Sequence, residues 1–259
     1  MQPRKRCSLE AHLLSQWPQG YFRQVHTELD STNAEARRLA EAGGAQHGPL
    51  WIMAERQSAG HGRRGRAWQT EEGNLAATLL LRPDAPQAVT GQLSFAAALA
   101  VAEMAAHFAP RAMIAVKWPN DVLADGKKLA GILLEGGSAR TTKNWLAIGI
   151  GVNLAGHPEG TEFPAMSLAG LGIAAPPAQE ALTMLAACFA HWYDVWMKDG
   201  FETLRTEWLA RAKGVGMPIR ARLPQETREG VFEGIDENGA LLLNEGGSVR
   251  AIAAGEVFF

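Results

Sequence analysis

The chain has 259 residues, 47% of them hydrophobic and 20% charged, with a formal net charge of -2. That length can bury one sizeable core, or a large domain beside a small one. The near-neutral balance excludes a protein that coats nucleic acid or spreads on a membrane surface. Two distant cysteines, Cys7 and Cys188, make neither a disulfide framework nor a zinc-type spacing, as suits a reducing cytosol.

The basic start MQPRKRC leads into no long apolar run, so no signal peptide is expected. DSTNAEARRLAEAGG at 30–44 reads as a helix, with Thr32 and Glu35 at capping-box spacing and Gly43 and Gly44 as its stop. PLWIMAE at 49–55 reads as a strand that runs into the loop GHGRRGR at 60–66. NLAATLLL at 74–81 is a second strand, closed by Arg82 and Pro83. The Ala-rich stretch at 93–110 carries Glu103 and His107. It is expected to be a buried core helix stopped by Pro110, not a membrane span. AMIAVKW at 112–118 is a strand broken by Pro119. Asp125 and Gly126 then turn a hairpin into KLAGILLE at 128–135. Gly136 and Gly137 are expected to open a second hairpin loop, with WLAIGIGVNL at 145–154 returning.

Strands thus follow one another without helices between them, which predicts an α+β fold with a largely antiparallel or mixed sheet. A Pro/Gly-rich connection at 155–177 precedes helices at roughly 178–198 and 201–212. At Gly214 and Gly216 the composition shifts to short β pieces with turn signals, the pattern of a small appended β-barrel. The predicted domains are 1–214 and 215–259.

The loop GHGRRGR puts glycines and arginines together. Taken alone, three arginines most often make a solvated basic loop. A nucleic-acid patch is weakened by the net charge and the lack of interleaved aromatics. The remaining reading is an anion cradle, in which glycines bring backbone N–H groups close to a phosphate and arginines neutralise it. No Walker A loop exists in the chain. Gly60, Gly62 and Gly65 meet the dinucleotide-binding spacing only formally, since no apolar helix follows. GGSAR at 136–140 lacks the second glycine of a serine nucleophile elbow.

The neighbouring pieces extend the pattern. LDSTN at 29–33, GHGRRGR, KWPND at 117–121, KKLAGILLE at 127–135 and GIGVNL at 149–154 follow in that order. Together they resemble the biotin protein ligases, the biotin–[acetyl-CoA-carboxylase] ligases, over residues 29–154. The C-terminal β pieces are similar to that family's SH3-like domain. The resemblance implies a class II tRNA-synthetase-like fold, a mixed sheet with helices on one side. It implies a carbon–nitrogen bond-forming ligase that makes biotinyl-5′-AMP from biotin and ATP with Mg2+, releasing pyrophosphate. Biotin then passes to one lysine of a biotin carboxyl carrier protein. The alternative of the same fold is a lipoate-protein ligase or lipoyl transferase.

The chemistry fits the residues. A carboxylate is already ionised, so its attack on the α-phosphate needs no general base; what it needs is positive charge and N–H donors against repulsion between anions. By resemblance, Lys128 bridges the biotin carboxylate and the α-phosphate, and Arg63 contacts both. Ser31, Thr32, Asn33 and Gln57, with Gly60, His61 and Gly62 of the loop, complete the biotin side. On their own residues, Ser31, Thr32 and Asn33 are also a helix N-cap. Arg66, Trp68, Asn120, Asp121 and Asn153 fall to the ATP side, and Lys117 is open between that role and a structural ion pair. No protein metal ligand is assigned. His61 stands where many members of the family carry arginine; histidine has less permanent charge and no bidentate fork.

The loop at 60–68 is expected to be mobile without ligand and to order over a water-sensitive mixed anhydride. Only about 28 residues precede LDSTN, too few for the winged-helix domain of repressor members, so a cytoplasmic ligase with no DNA or membrane partner is expected. The oligomeric state stays open, a homodimer included.

Overall fold

The computed structural model describes residues 16–43, 48–139 and 142–259. Cys7, Gly44 and the basic start lie outside these residues. Seven strands form one sheet: β1 (Phe22–Leu29), β2 (Leu50–Gln57), β3 (Leu75–Leu81), β4 (Ile114–Lys117), β5 (Asp121–Ala124), β6 (Lys127–Ala139) and β7 (Thr142–Val152), in the order β1-β2-β3-β7-β6-β5-β4. The β1–β2 pair is parallel and the others are antiparallel, so the sheet is mixed.

Period-two alternation decides which face each strand residue takes. In β7, Ile148, Ile150 and Val152 enter the main core, while Gly149 and Gly151 turn to the opposite face. In β3, Leu75, Ala77, Leu79 and Leu81 do the same, leaving Ala76 and Thr78 opposite. The core face is covered by α2 (Leu93–Phe108), α3 (Ala178–Asp199) and α4 (Phe201–Leu209). The apolar length of Gln87–Phe108 would suffice to cross a membrane, but α2 is packed inside this core. Burying one such large apolar side chain stabilises the fold by roughly 1.5–3 kcal/mol.

The fourth described helix, α1 (Thr32–Glu41), lies on the other face, with Ala36 and Ala40 packed on Leu50, Ile52, Leu80 and Ala147. Helices therefore cover both faces, and the expectation of helices on one side is corrected. Small alanines let α1 sit close to the sheet. Its start is corrected as well. Ser31, not Thr32, is the N-cap residue, no side chain caps the helix, and Glu35 turns to Arg38 at 2.8 Å. Gly136 and Gly137 do not open a loop; they pair with Leu146 and Trp145 within the β6–β7 ladder. A Cβ on Gly137 would lie 3.0 Å from the Trp145 indole, so the glycine makes room for a ring.

Five further strands form an antiparallel sheet in the order β11-β10-β9-β8-β12: β8 (Pro218–Arg222), β9 (Thr227–Ile235), β10 (Leu241–Asn244), β11 (Val249–Ile252) and β12 (Glu256–Phe258). Phe232, Ile235, Leu241 and Val257 join the same hydrophobic cluster as α2. Trp118 Nε1 donates to the Gly239 carbonyl at 3.0 Å, a buried bond between the two sheets' units. Cys188 is buried and free, its thiol pushed up to about 12 by burial first and by nearby Glu103 second.

Candidate active site

A cavity of about 410 Å3 opens on the face of the large sheet opposite the helical core. Its floor is bare backbone. A Cβ on Gly151 would meet the Trp68 indole at 2.2 Å, and one on Gly149 would meet Asn33 Oδ1 at 2.2 Å. The Ile-Gly alternation of β7 thus serves two ends at once, branched carbons for the core and vacant positions for the cavity.

One end of the cavity is polar and uncharged. Gln57 Oε1 accepts from the Thr32 backbone N–H at 2.8 Å and lies 3.1 Å from its hydroxyl. The Thr32 and Thr78 hydroxyls are 2.8 Å apart, and Thr78 donates to Asn33 Oδ1 at 2.6 Å. Asn33 Nδ2 donates to Glu135 at 2.8 Å. Thr32, Asn33 and Thr78 are buried, so this network is held in one arrangement. Ser31 lines the same end, and its hydroxyl makes no cap bond, which leaves it for a ligand.

The other end is cationic. Residues 60–68 form a small closed loop, with Gly62 N–H donating to the Arg66 carbonyl at 2.7 Å and Trp68 N–H to the Gly60 carbonyl at 2.9 Å. Its turn spans Arg63–Gly65, and Arg64 sits at φ 58°, a left-handed conformation that costs a non-glycine residue of order 1 kcal/mol or more. Arg63 reaches inward and donates to Asn120 Oδ1 at 3.2 Å and to the Gly255 carbonyl at 3.4 Å. Burial lowers its guanidinium from the ordinary value, with Arg64 adding to the effect. Arg66 pairs with Glu256 of β12 at 2.7 Å, and Arg64 lies 3.9 Å from the same carboxylate. Arg222 of β8 bonds Glu256 too and takes Glu162 bidentately at 2.6 and 2.8 Å. Burial opposes the Glu256 charge, but hydrogen bonds from Arg222 and Arg66 outweigh it and hold the carboxyl below its usual range.

Between the two ends stand Lys117, Asp121 and Lys128. Asp121 is 2.7 Å from Lys128 Nζ and 3.5 Å from Lys117 Nζ. A β6 bulge opposite Val122 and Leu123 sets Lys128 toward the cavity and leaves Lys127 exposed. An ammonium carries three N–H groups, so Lys128 keeps donors for a ligand after bonding Asp121. Lys117 is buried at 4% exposure, its ammonium pushed down to about 8 by burial; Asp121 resists this and Lys128 adds to it.

The structure gathers Ser31, Thr32, Asn33, Gln57, His61, Gly62, Arg63, Arg66, Trp68, Asn120, Asp121, Lys128 and Asn153 around this one cavity. Gly60 is not on its wall. It stands behind, where a Cβ would meet the Trp68 carbonyl at 2.8 Å and the Gln57 amide at 2.9 Å. The Asn153 amide donates to the Met166 carbonyl at 3.2 Å and the Lys128 carbonyl at 3.4 Å, so it ties strand to loop while bordering the cavity. His61 Nε2 is 3.8 Å from Glu135. Sequence reasoning missed Thr78, Glu135, Glu162 and Glu256. Thr78 carried a signal, the one hydroxyl in the apolar run LAATLLL. Glu256 carried none, lying 190 residues from Arg66.

The family model described as "Biotin/lipoate A/B protein ligase family" matches residues 29–153, and that of the "Biotin protein ligase C terminal domain" matches 215–259. A biotin–[acetyl-CoA-carboxylase] ligase of Paracoccus denitrificans is 45% identical over 237 residues, 89% of this chain and 97% of its own. One of Mycobacterium tuberculosis is 36% identical over 242 residues, 90% and 87% of the two chains. The structure of a biotin protein ligase from Aquifex aeolicus in complex with biotin and ATP matches with a TM-score of 0.77 at 25% identity, covering 91% of this chain and 97% of that one. With a neutral slot, a cationic loop and two bridging lysines in one cavity, and relatives of this similarity, the chain belongs to the biotin protein ligase family.

Proposed function

We propose that this protein activates biotin with MgATP as biotinyl-5′-AMP and transfers the biotinyl group to a lysine of a biotin carboxyl carrier protein. One observation carries the reading: the Lys128 ammonium, steadied by Asp121, stands where a neutral hydrogen-bonding slot meets an arginine loop. A ureido ring offers two N–H donors and a carbonyl, which suit Ser31, Thr32, Asn33 and Gln57. The ring of lipoate offers no such groups. It would leave the buried Ser31 hydroxyl, which makes no cap bond, without a ligand partner, at about 1–3 kcal/mol. This favours biotin over the lipoate-ligase alternative.

In the first step a biotin carboxylate oxygen bonds the α-phosphorus, and the bond to the β-phosphate oxygen breaks with its electrons leaving on pyrophosphate. Lys128 and Arg63 offset the charge that gathers on the reacting oxygens. In the second step the neutral acceptor ε-amine bonds the acyl carbon, the acyl C–O bond breaks with its electrons leaving on AMP, and the nitrogen gives up a proton to solvent. Arg66, Trp68, Asn120, Asp121 and Asn153 form the nucleotide side. Among the described residues no cluster of three or more His, Cys, Asp or Glu gathers to cage a metal. In this reading Mg2+ enters as part of the MgATP substrate, held mainly by phosphates and water. We take 1–214 as the catalytic unit and 215–259 as the C-terminal unit, whose Glu256 steadies the arginine loop, and we place the enzyme in the cytoplasm.

Release of pyrophosphate from MgATP tests the reading. Release that requires biotin and is not supported by lipoate is expected. Equal release with either acid would reverse the specificity, and release with neither would remove the adenylation step.

A further inference from the structure

One charged side chain is bonded to the neutral slot from behind. Glu135 of β6 stands across from Ala147 in the β6–β7 ladder and is not on the cavity wall. Its Oε2 accepts from Asn33 Nδ2 at 2.8 Å, while Oε1 is 3.8 Å from His61 Nε2, too far for a hydrogen bond. The Glu135 side chain is 40% exposed, so the charge keeps water on its outer side. A carboxylate only accepts, and this fixes the direction of each bond that follows. Asn33 must turn its NH2 to Glu135 and its Oδ1 to Thr78. Thr78 has a single hydroxyl proton and gives it to that oxygen at 2.6 Å. The Thr32 hydroxyl lies 2.8 Å from the Thr78 oxygen, so the proton between them belongs to Thr32. Gln57 Oε1, the other neighbour of the Thr32 hydroxyl, is an acceptor that already holds the Thr32 backbone N–H. The Thr32 oxygen therefore meets the cavity with lone pairs and no proton.

We propose that Glu135 is a specificity-determining positioning residue: through Asn33 and Thr78 it aims the Thr32 hydroxyl as an acceptor for a ligand N–H. This rests on the biotin reading above and deepens it. The relay joins three elements, with Thr32 and Asn33 on α1, Thr78 on β3 and Glu135 on β6. Its protons all point one way, from ligand to Thr32, Thr78, Asn33 and the carboxylate. Thr78 is fully buried and Thr32 and Asn33 are each 4% exposed, so bulk water does not compete and each bond polarises the next. A neutral glutamine at 135 offers N–H as well as C=O. The Asn33 amide can then turn over, the two hydroxyls reverse, and the slot no longer prefers a donor. A ureido ring, with its two N–H groups, fits the wild-type direction. A ring with an ether oxygen at the same place sets lone pairs against lone pairs.

Calorimetric titration of the full chain tests this, using biotin and its two cyclic carbamate analogues, each with one ureido N–H replaced by oxygen. Wild type should bind biotin about tenfold more tightly than the carbamate whose oxygen faces Thr32, the usual range for one lost hydrogen bond beside a buried polar group. Glu135→Gln should remove most of that preference by weakening biotin and not the carbamate, with MgATP affinity unchanged. Thr78→Val, which breaks the same relay in the middle, should remove the same preference, and the double variant should lose no more. An equal loss for both ligands in Glu135→Gln, with the preference kept, would make Glu135 a structural support alone and overturn the proposal. So would an unchanged biotin affinity. Nuclear magnetic resonance of the ligand-free chain labelled at asparagine gives a second reading. The Asn33 NH2 protons should lie close to the Glu135 methylenes, and closeness to the Thr78 methyl instead would overturn the relay. Wild type that binds neither biotin nor its carbamates would end the biotin reading, and the ligand-free contacts would still decide the relay.

Discussion

The two ends of the cavity are built on opposite terms. The slot at Ser31, Thr32, Asn33, Gln57 and Thr78 is neutral, buried and bonded to itself on rigid elements, a helix start and two strands. The loop at 60–66 is charged and largely exposed, and it is held by carboxylates from distant segments, Glu162 and Glu256. A ligand entering the slot meets side chains already fixed by bonds to one another. A triphosphate entering the loop competes with Glu256 for Arg66. Recognition is thus preorganised at one end and exchangeable at the other.

The largest effect should come from the residue that joins the ends. Lys128→Ala should lower adenylate formation by about 10²–10³-fold while biotin binding in the slot falls far less, which single-turnover kinetics with a biotin titration would show. Loss of both to the same degree would mean that Lys128 acts as a binding contact alone. Next is the slot. Gly149→Ala pushes a methyl into Asn33, whose two bonds hold it in place. Biotin affinity should fall by about 2 kcal/mol, roughly thirtyfold in Kd, with ATP affinity unchanged. Equal weakening of both ligands would show that the two ends are not independent.

The cationic end should respond to pH where the slot does not. Burial disfavours the Lys117 charge and pushes its ammonium from 10.5 down to about 8. Above about pH 8 it is neutral, so MgATP affinity should decline through that range, and Lys117→Met should flatten the profile. The stability sign is fixed by the same shift. Between about pH 8 and 10.5 the unfolded chain binds more protons, so this group's contribution to stability rises with pH. A pH-independent MgATP titration in wild type would count against the assignment. Smaller still, Glu256→Gln should loosen the loop: cleavage by trypsin at 63–66 should quicken a few-fold, in the range of one or two partly exposed ion pairs, while biotin affinity holds. His61→Arg should slow release of the adenylate modestly, and an unchanged release rate would show that position 61 does not tune retention.

Much of this was legible before any coordinates. WLAIGIGVNL at 145–154 read as a strand and is one, and Lys128 was singled out by the family resemblance of KKLAGILLE. The misses have physical causes. Strand β1, FRQVHTEL, is an exposed sheet edge and carries no apolar alternation. Gly136 and Gly137 read as a turn because glycine is also the residue that makes room for Trp145. Glu162 and Glu256 meet the arginines only through tertiary packing, which no local pattern records.

The most direct test is the intact mass of a biotin carboxyl carrier domain after incubation with this protein, MgATP and either biotin or lipoate. One biotinyl adduct on the acceptor lysine, none with lipoate, and none from biotin in the Lys128→Ala protein within the same interval is the expected result. A lipoyl adduct, or a biotinyl adduct formed as fast without Lys128, would contradict the account.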